Sequence, residues 1–253
     1  VDRMADLPIA IFALALGSVL MANMAQAAAR GSREELAEDL VFSLRHVYFV
    51  CIPMAVLVML FWQPLIRMLC LGGNYTESDL EATRYVAIFY GAGIPSFCVL
   101  KVVLPVYYAR KMMKIPLYSS LVSIACNIIL NLCLMWTLKQ GGIALSTVLA
   151  SMLNNTILIT LLHREGFNLQ GRLMLLTGLR SLLLAGAVGV GLYFLYPQLR
   201  RMLELPWFGE FPAFVALMAL FGGLYFGASF LLRAAGPREF FDIVRRRKKT
   251  EKL

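Results

Sequence analysis

Residues 85–108, YVAIFYGAGIPSFCVLKVVLPVYY, are apolar or small almost throughout, and the run is long enough to cross a bilayer as one helix. Six further runs of similar character lie at about 7–28, 44–66, 115–138, 142–162, 174–196 and 211–234. In hydrocarbon every backbone N–H and C=O must find a partner within the protein, and repeated apolar runs of this length meet that demand as helices. Gly91, Gly93, Pro95 and Pro105 inside the first-named run are tolerable there, because neighbouring helices or cavity water satisfy the freed groups. The chain therefore reads as an all-α integral membrane protein with seven transmembrane helices.

Composition agrees. The 253 residues are 60% hydrophobic and 15% charged, whereas an ordinary soluble domain is about one-quarter charged. The net charge of +9 comes largely from the last residues, where Arg238, Arg245, Arg246, Arg247, Lys248, Lys249 and Lys252 outnumber Glu239, Asp242 and Glu251. Topology and anionic lipid account for such a tail before nucleic acid does, so anionic membrane lipids are its expected partner. The five cysteines lack CxxC spacing and read as small core residues, forming neither a disulfide framework nor a metal site. The chain opens on Val1 and enters an apolar run almost at once, without a signal peptide. The expectation is a piece of something longer.

Between the first two runs, residues 30–43 are too charged to span. Leu36, Leu40 and Leu44 recur at four-residue spacing, which predicts a short amphipathic helix on the membrane surface. Basic residues in the connections set the orientation. Fourteen fall on the side of the tail, Arg110, Lys111 and Lys114 among them, and six on the other. The positive-inside rule then places the C-terminus in the cytoplasm and the beginning of the chain on the far side.

Few polar residues sit at membrane depth. Lys101 is the one full charge inside its run, about 13 Å along the helix from Arg110. An ionisable group there costs about 2.5–3.5 kcal/mol on insertion scales, so it faces a wet cavity or snorkels to the headgroups. Asp2 and Arg3 open the first run, either as an interfacial anchor or as a paired charge at a cavity mouth. Arg180 stands near the start of the sixth run, within snorkelling reach of an interface. Asn154 and Asn155 fit interhelical hydrogen bonding. Asn127 and Asn131, four residues apart, share one face of the fourth helix, and the short connection after it makes the fifth an antiparallel neighbour carrying Thr147. Those three side chains converge on the non-cytoplasmic side. Gly186 and Gly189, with Gly222 and Gly223, would let the last two helices approach closely or line a groove.

No catalytic constellation accompanies them. His46 and His163 stand at opposite ends of different runs, no Walker loop, HExxH or GxSxG occurs, and carboxylates are absent from the middle of every run. A membrane enzyme acting on lipid-linked substrate lacks its acid or base here. No cofactor is indicated. Cations facing a membrane cavity without hydrolytic groups suggest a pathway for an anionic amphiphile.

Three strings carry a resemblance. DRMADLPIAIFALALGSVLM resembles the DRL-x-x-x-P…ALGT span of MurJ-type (MviN) lipid II flippases. LKVVLPVYYARKMMKIP resembles their K-V-L-x-P-x-[FY]-Y-[AS]-R…P segment, and GGIALSTVLASMLNNTILITLLHR the stretch that follows. The resemblance implies the C-terminal half, helices eight to fourteen, of a fourteen-helix fold in the MOP exporter superfamily. Residues 1–165 would form part of its second six-helix lobe, 166–234 two helices grooved for a polyprenyl tail, and 235–253 a basic cytoplasmic tail. It further implies translocation of lipid II, the undecaprenyl-pyrophosphate-linked peptidoglycan precursor, across the bacterial inner membrane by alternating access. Arg3, with Asp2, and Lys101 would then meet the cargo head group, and Arg180, Gly186, Gly189, Gly222 and Gly223 would border the tail groove. The N-terminal half would be a necessary partner.

Some relatives in that family have a sodium site whose matching positions are Asn127, Asn131, the carbonyl of Ile143, and Thr147. Here Asn131 replaces a carboxylate. A hard cation loses its one charged oxygen ligand, so sodium binding is expected to be weak or lost. A second departure is Ala22, where the family commonly has proline. Competing readings are a flippase for another lipid-linked glycan of O-antigen type and a non-transporting membrane scaffold.

Overall fold

The computed structural model describes residues 33–70, 77–203 and 211–231, and these form helices without strands. The helices are α1 (Arg33–Leu60), α2 (Trp62–Cys70), α3 (Glu77–Ala109), α4 (Lys114–Leu138), α5 (Gln140–Arg164), α6 (Gly171–Leu203) and α7 (Phe211–Leu231). All but α2 are long and apolar enough to cross a membrane, and they coincide with six of the seven expected spans. The expected span at 7–28, Asp2, Arg3, Ala22 and the basic tail lie outside the described residues.

The expected surface helix at 30–43 meets a different arrangement over its described part. Residues 33–43 are the first turns of α1, continuous with the span that follows. Leu36, Leu40 and Leu44 are buried, and their stripe runs on in register through Val47, Cys51, Ala55 and Val58. Alternating steps of four and three keep these side chains on one face of a helix. Glu34 and Glu38 take the exposed side. The leucines thus begin the core stripe of α1.

The expected run 44–66 is divided. Pro64 has no N–H to give the carbonyl four residues back, which is that of Leu60, and α1 ends there. Phe61, almost fully buried, marks the bend, and α2 resumes with Pro64 in its first turn, where a missing N–H costs little. Pro53, Pro95, Pro105 and Pro197, by contrast, stay inside continuous helices.

In space the long helices follow the order α4, α5, α3, α1, α6, α7, each packing chiefly on its neighbours in that row. One apolar core fills the space among α1, α3 and the C-terminal half of α5, with Phe167, Leu169 and Met174 closing it beyond the end of α5. A second joins α1, α6 and α7 through Phe49, Phe61, Leu192, Phe214, Leu217, Phe221 and Tyr225. The α4 end of the row is bare: only 6% of the most apolar window of α4 is buried. Its isoleucines and leucines are exposed, as a lipid-facing or partner-facing helix requires.

Candidate functional site

Helix α5 is the element that gathers most of the polar side chains. Asn155 Nδ2 donates to the backbone carbonyl of Ser96 at 2.7 Å and reaches the Ser96 hydroxyl at 2.8 Å. The Ser96 and Ser151 hydroxyls are 3.0 Å apart. A turn further on, the Tyr107 hydroxyl donates to the carbonyl of Leu158 at 2.7 Å. These bonds fix α3 against α5. On the other side of α5, the Ser119 hydroxyl of α4 donates to Asn154 Oδ1, and Ser123 donates to the Ser119 carbonyl at 2.9 Å. All four of Ser96, Ser119, Asn154 and Asn155 are buried. A buried amide or hydroxyl without a partner costs on the order of 1–3 kcal/mol, so these bonds set the relative register of the three helices, although Asn155 Oδ1 itself finds no partner among the described residues.

Toward the α4–α5 turn a second polar group appears: of the three side chains expected to converge, Asn127 and Asn131 are joined to each other and to Ser146 of α5, while Thr147 bonds within its own helix. Asn131 Nδ2 donates to Asn127 Oδ1 at 3.2 Å, across one turn of α4. The Ser146 hydroxyl donates to Asn131 Oδ1 and also lies 2.8 Å from the carbonyl of Ile143. Thr147 donates to that same carbonyl at 2.9 Å. The side-chain oxygens of both asparagines and the Ile143 carbonyl are already acceptors within the protein. Ser146 was not among the residues singled out from sequence. Its only signal was its place beside Thr147 on a helix predicted to face Asn131.

The turn itself is tight. Lys139 is at once the C-cap of α4 and the N-cap of α5, with φ 51°. That conformation disfavours any side chain but glycine's single hydrogen. Gly142 is demanded by contact: a Cβ there would stand 2.4 Å from the carbonyl oxygen of Leu134.

Lys101 lies on α3 between buried neighbours, yet its own side chain is exposed. Among the described residues it has no carboxylate within salt-bridge distance. Exposure is what both a cavity-facing and a snorkelling lysine require. At the end of α3, Arg110 pairs with Glu165 and lies 5.2 Å over the Phe167 ring, tying the α3 terminus to the turn after α5. Glu165 was not singled out from sequence.

The expected groove residues are not gathered at one place. Gly189 sits at the crossing of α6 with α1, where a Cβ would come within 2.6 Å of Leu60 Cδ1 and 3.2 Å of Val56 Cγ1. Gly186, Gly222 and Gly223 have open space beside them. Arg180 is exposed on α6, on the side away from Gly189 by helical register. Among the described residues no cluster of three histidines, cysteines or carboxylates could hold a metal.

Residues 1–206 match the family model described as lipid II flippase MurJ. The chain belongs to that family. Similar proteins include the probable lipid II flippase MurJ of Vibrio cholerae, 28% identical over 165 residues, which is 65% of this chain and 31% of the relative. That of Rhizobium meliloti is 28% identical over 188 residues, covering 74% of this chain and 35% of the relative. That of Haemophilus influenzae is 23% identical over 237 residues, 91% of this chain and 46% of the relative. This chain therefore spans between 31% and 46% of the length of these curated relatives. Among solved structures, a lipid II flippase MurJ in an inward closed conformation shares the fold with a TM-score of 0.70 at 21% identity, over 92% of this chain and 46% of that one. Six apolar helices and this membership make the chain a multi-pass membrane protein of a flippase family.

Proposed function

We propose that this chain forms the C-terminal half of a transporter that flips lipid II across the bacterial inner membrane by alternating access, with a separate N-terminal half completing the cavity. The observation that carries the reading is the match of residues 1–206 to the lipid II flippase family. The likeness of 92% of the chain to half of a solved flippase supports its being one half of the machine. The division into a lobe portion at 1–165, two groove helices at 166–234 and a tail at 235–253 belongs to this proposal. So does the placement of the C-terminus in the cytoplasm, supported by the fourteen-to-six bias of basic residues.

Arg3, with Asp2 beside it, and Lys101 are the head-group residues of this reading. A pyrophosphate needs cations that remain solvated until it arrives, and the exposed, carboxylate-free setting of Lys101 fits that need. Gly186, Gly222 and Gly223 leave room beside α6 and α7 that an isoprenoid tail could occupy, with Arg180 at the border. The basic tail meets anionic lipid. The Asn127, Asn131, Ile143 and Thr147 group is a vestigial cation site on this reading. Its oxygens are committed to internal hydrogen bonds and it carries no formal charge.

The test is complementation of a flippase-depleted bacterium by the full-length protein carrying Arg3→Ala. The expected result is loss of growth with the protein still inserted at normal abundance. Growth at the wild-type rate would remove Arg3 from the head-group site.

A further inference from the structure

At the end of α4 and α5 opposite to the Lys139 turn, an apolar cleft of about 260 Å³ opens between the two helices, lined by Ile115, Tyr118, Ser119, Val122, Ile157 and Leu161. The two helices are antiparallel, so the first residue of α4, Lys114, and the last of α5, Arg164, stand at this same end. Helical register puts each cation over the cleft. Lys114 is one turn before Tyr118, and Arg164 continues the Ile157–Leu161 stripe after three residues. Both are exposed, as is the nearby Lys111. The neighbouring carboxylate of Glu165 is already paired with Arg110.

We propose that this cleft is a binding site for an anionic glycerophospholipid, with one acyl chain along Tyr118, Val122, Ile157 and Leu161 and the phosphate between Lys114 and Arg164. An apolar slot alone would accept any acyl chain. Two cations at its mouth, neither with a carboxylate within salt-bridge distance among the described residues, select a headgroup of net negative charge over a zwitterionic one. Neither orientation nor cargo enters this assignment, and the basic tail plays no part in it. The lipid would fill the space between the two helices beside the Ser119–Asn154 bond, bracing the exposed α4 against α5.

The experiment measures lipid binding to the purified full-length protein, using dioleoyl phosphatidylglycerol and dioleoyl phosphatidylcholine as probes and native mass spectrometry as the readout. Each cation near a membrane surface contributes enough to favour the anionic lipid by roughly fivefold, so the pair gives a preference of roughly thirtyfold in the unaltered protein. Lys114→Gln with Arg164→Gln should bring the preference close to unity, and either change alone should reduce it by roughly fivefold. Val122→Trp, which fills the cleft, should weaken both lipids. Lys139→Gln removes a cation at the opposite end and should leave the preference intact, which controls for net charge. Thermal unfolding of each variant without added lipid checks the fold, and the single substitutions serve if the double variant fails to insert. An unchanged preference in those variants would overturn the site. So would a site that binds undecaprenyl diphosphate in place of phosphatidylglycerol and loses it in the same variants, since the cleft would then belong to the cargo path.

Discussion

Asn154 and Asn155 are consecutive on α5, yet they hydrogen-bond in different directions: Asn154 accepts from Ser119 of α4, and Asn155 donates to Ser96 of α3. Adjacent residues on a helix point about 100° apart, so one dipeptide fastens α5 to both of its neighbours. Interhelical hydrogen bonds of this kind average about 0.6 kcal/mol and reach about 2 kcal/mol. Asn155→Ala and Asn154→Ala are each expected to lower stability by about 1 kcal/mol in a reversible detergent unfolding assay. Combining Asn155→Ala with Ser96→Ala should cost less than the sum of the two, whereas Asn155→Ala with Ser119→Ala should be additive. Additivity in the first pair would mean that the Ser96 contact carries no energy.

Glycine to alanine substitutions separate packing glycines from free ones. Gly142→Ala places a methyl group against the Leu134 carbonyl, a backbone atom that cannot step aside. A loss of about 2 kcal/mol or more is expected, in the range of overpacked cores. Gly186→Ala meets nothing within 4 Å and should be neutral or stabilising by up to about 1 kcal/mol through helix propensity. Gly189→Ala faces the flexible end of Leu60 and should fall between them. Equal unfolding midpoints for the Gly142 and Gly186 variants would contradict the close contact of Gly142 with the Leu134 carbonyl.

Charge type at position 101 tests the head-group proposal. In the full-length protein, Lys101→Arg should support more growth of a flippase-depleted strain than Lys101→Gln, because a positive charge at depth is the property required. Full complementation by Lys101→Gln would leave the lysine as a snorkelling residue.

Asn131→Asp restores a formal negative charge among Asn127, the Ile143 carbonyl and Thr147. The expected outcome is sodium-dependent flipping in reconstituted vesicles where the unaltered protein works equally well with or without sodium at constant membrane potential. An unaltered protein that stalls on sodium removal would show that the neutral group still serves a cation.

Orientation is checked by single cysteines in a background without the five native ones. A cysteine at Lys139 should react with an impermeant maleimide from outside the cell, and one at Lys111 only after permeabilisation. The reverse pattern would invert the proposed topology.

The helical spans were legible because hydrocarbon leaves a chain few choices: runs such as 115–138 and 211–234 reappear as α4 and α7 almost to the residue. The meeting of Asn127 and Asn131 with the start of α5 was legible because a short connection forces α4 and α5 to be antiparallel, although it is Ser146 and not Thr147 that reaches Asn131. Less was readable where local and long-range signals overlap. The leucines at 36, 40 and 44 form an amphipathic stripe whether they lie on a membrane or in a core, and only the partner α3 distinguishes the two. Pro64 breaks the run at Leu60 while Pro95 and Pro105 break nothing, since the effect depends on whether neighbouring structure accommodates the lost hydrogen bond. Ser96, Ser119 and Ser146 escaped notice because a serine in an apolar run gains meaning only from the amide it meets in another helix.

The single residue joining α4 to α5 bears on how the protein enters the membrane during synthesis. With Lys139 ending one helix and starting the next, there is no slack in which α4 could settle across the bilayer while α5 waits outside. On the proposed orientation the two would insert as a hairpin, carrying the charged turn through the hydrocarbon once and together. Within such a hairpin the serine and asparagine pairs find each other before any later segment leaves the ribosome, so these polar groups need not cross or reside in lipid unpartnered.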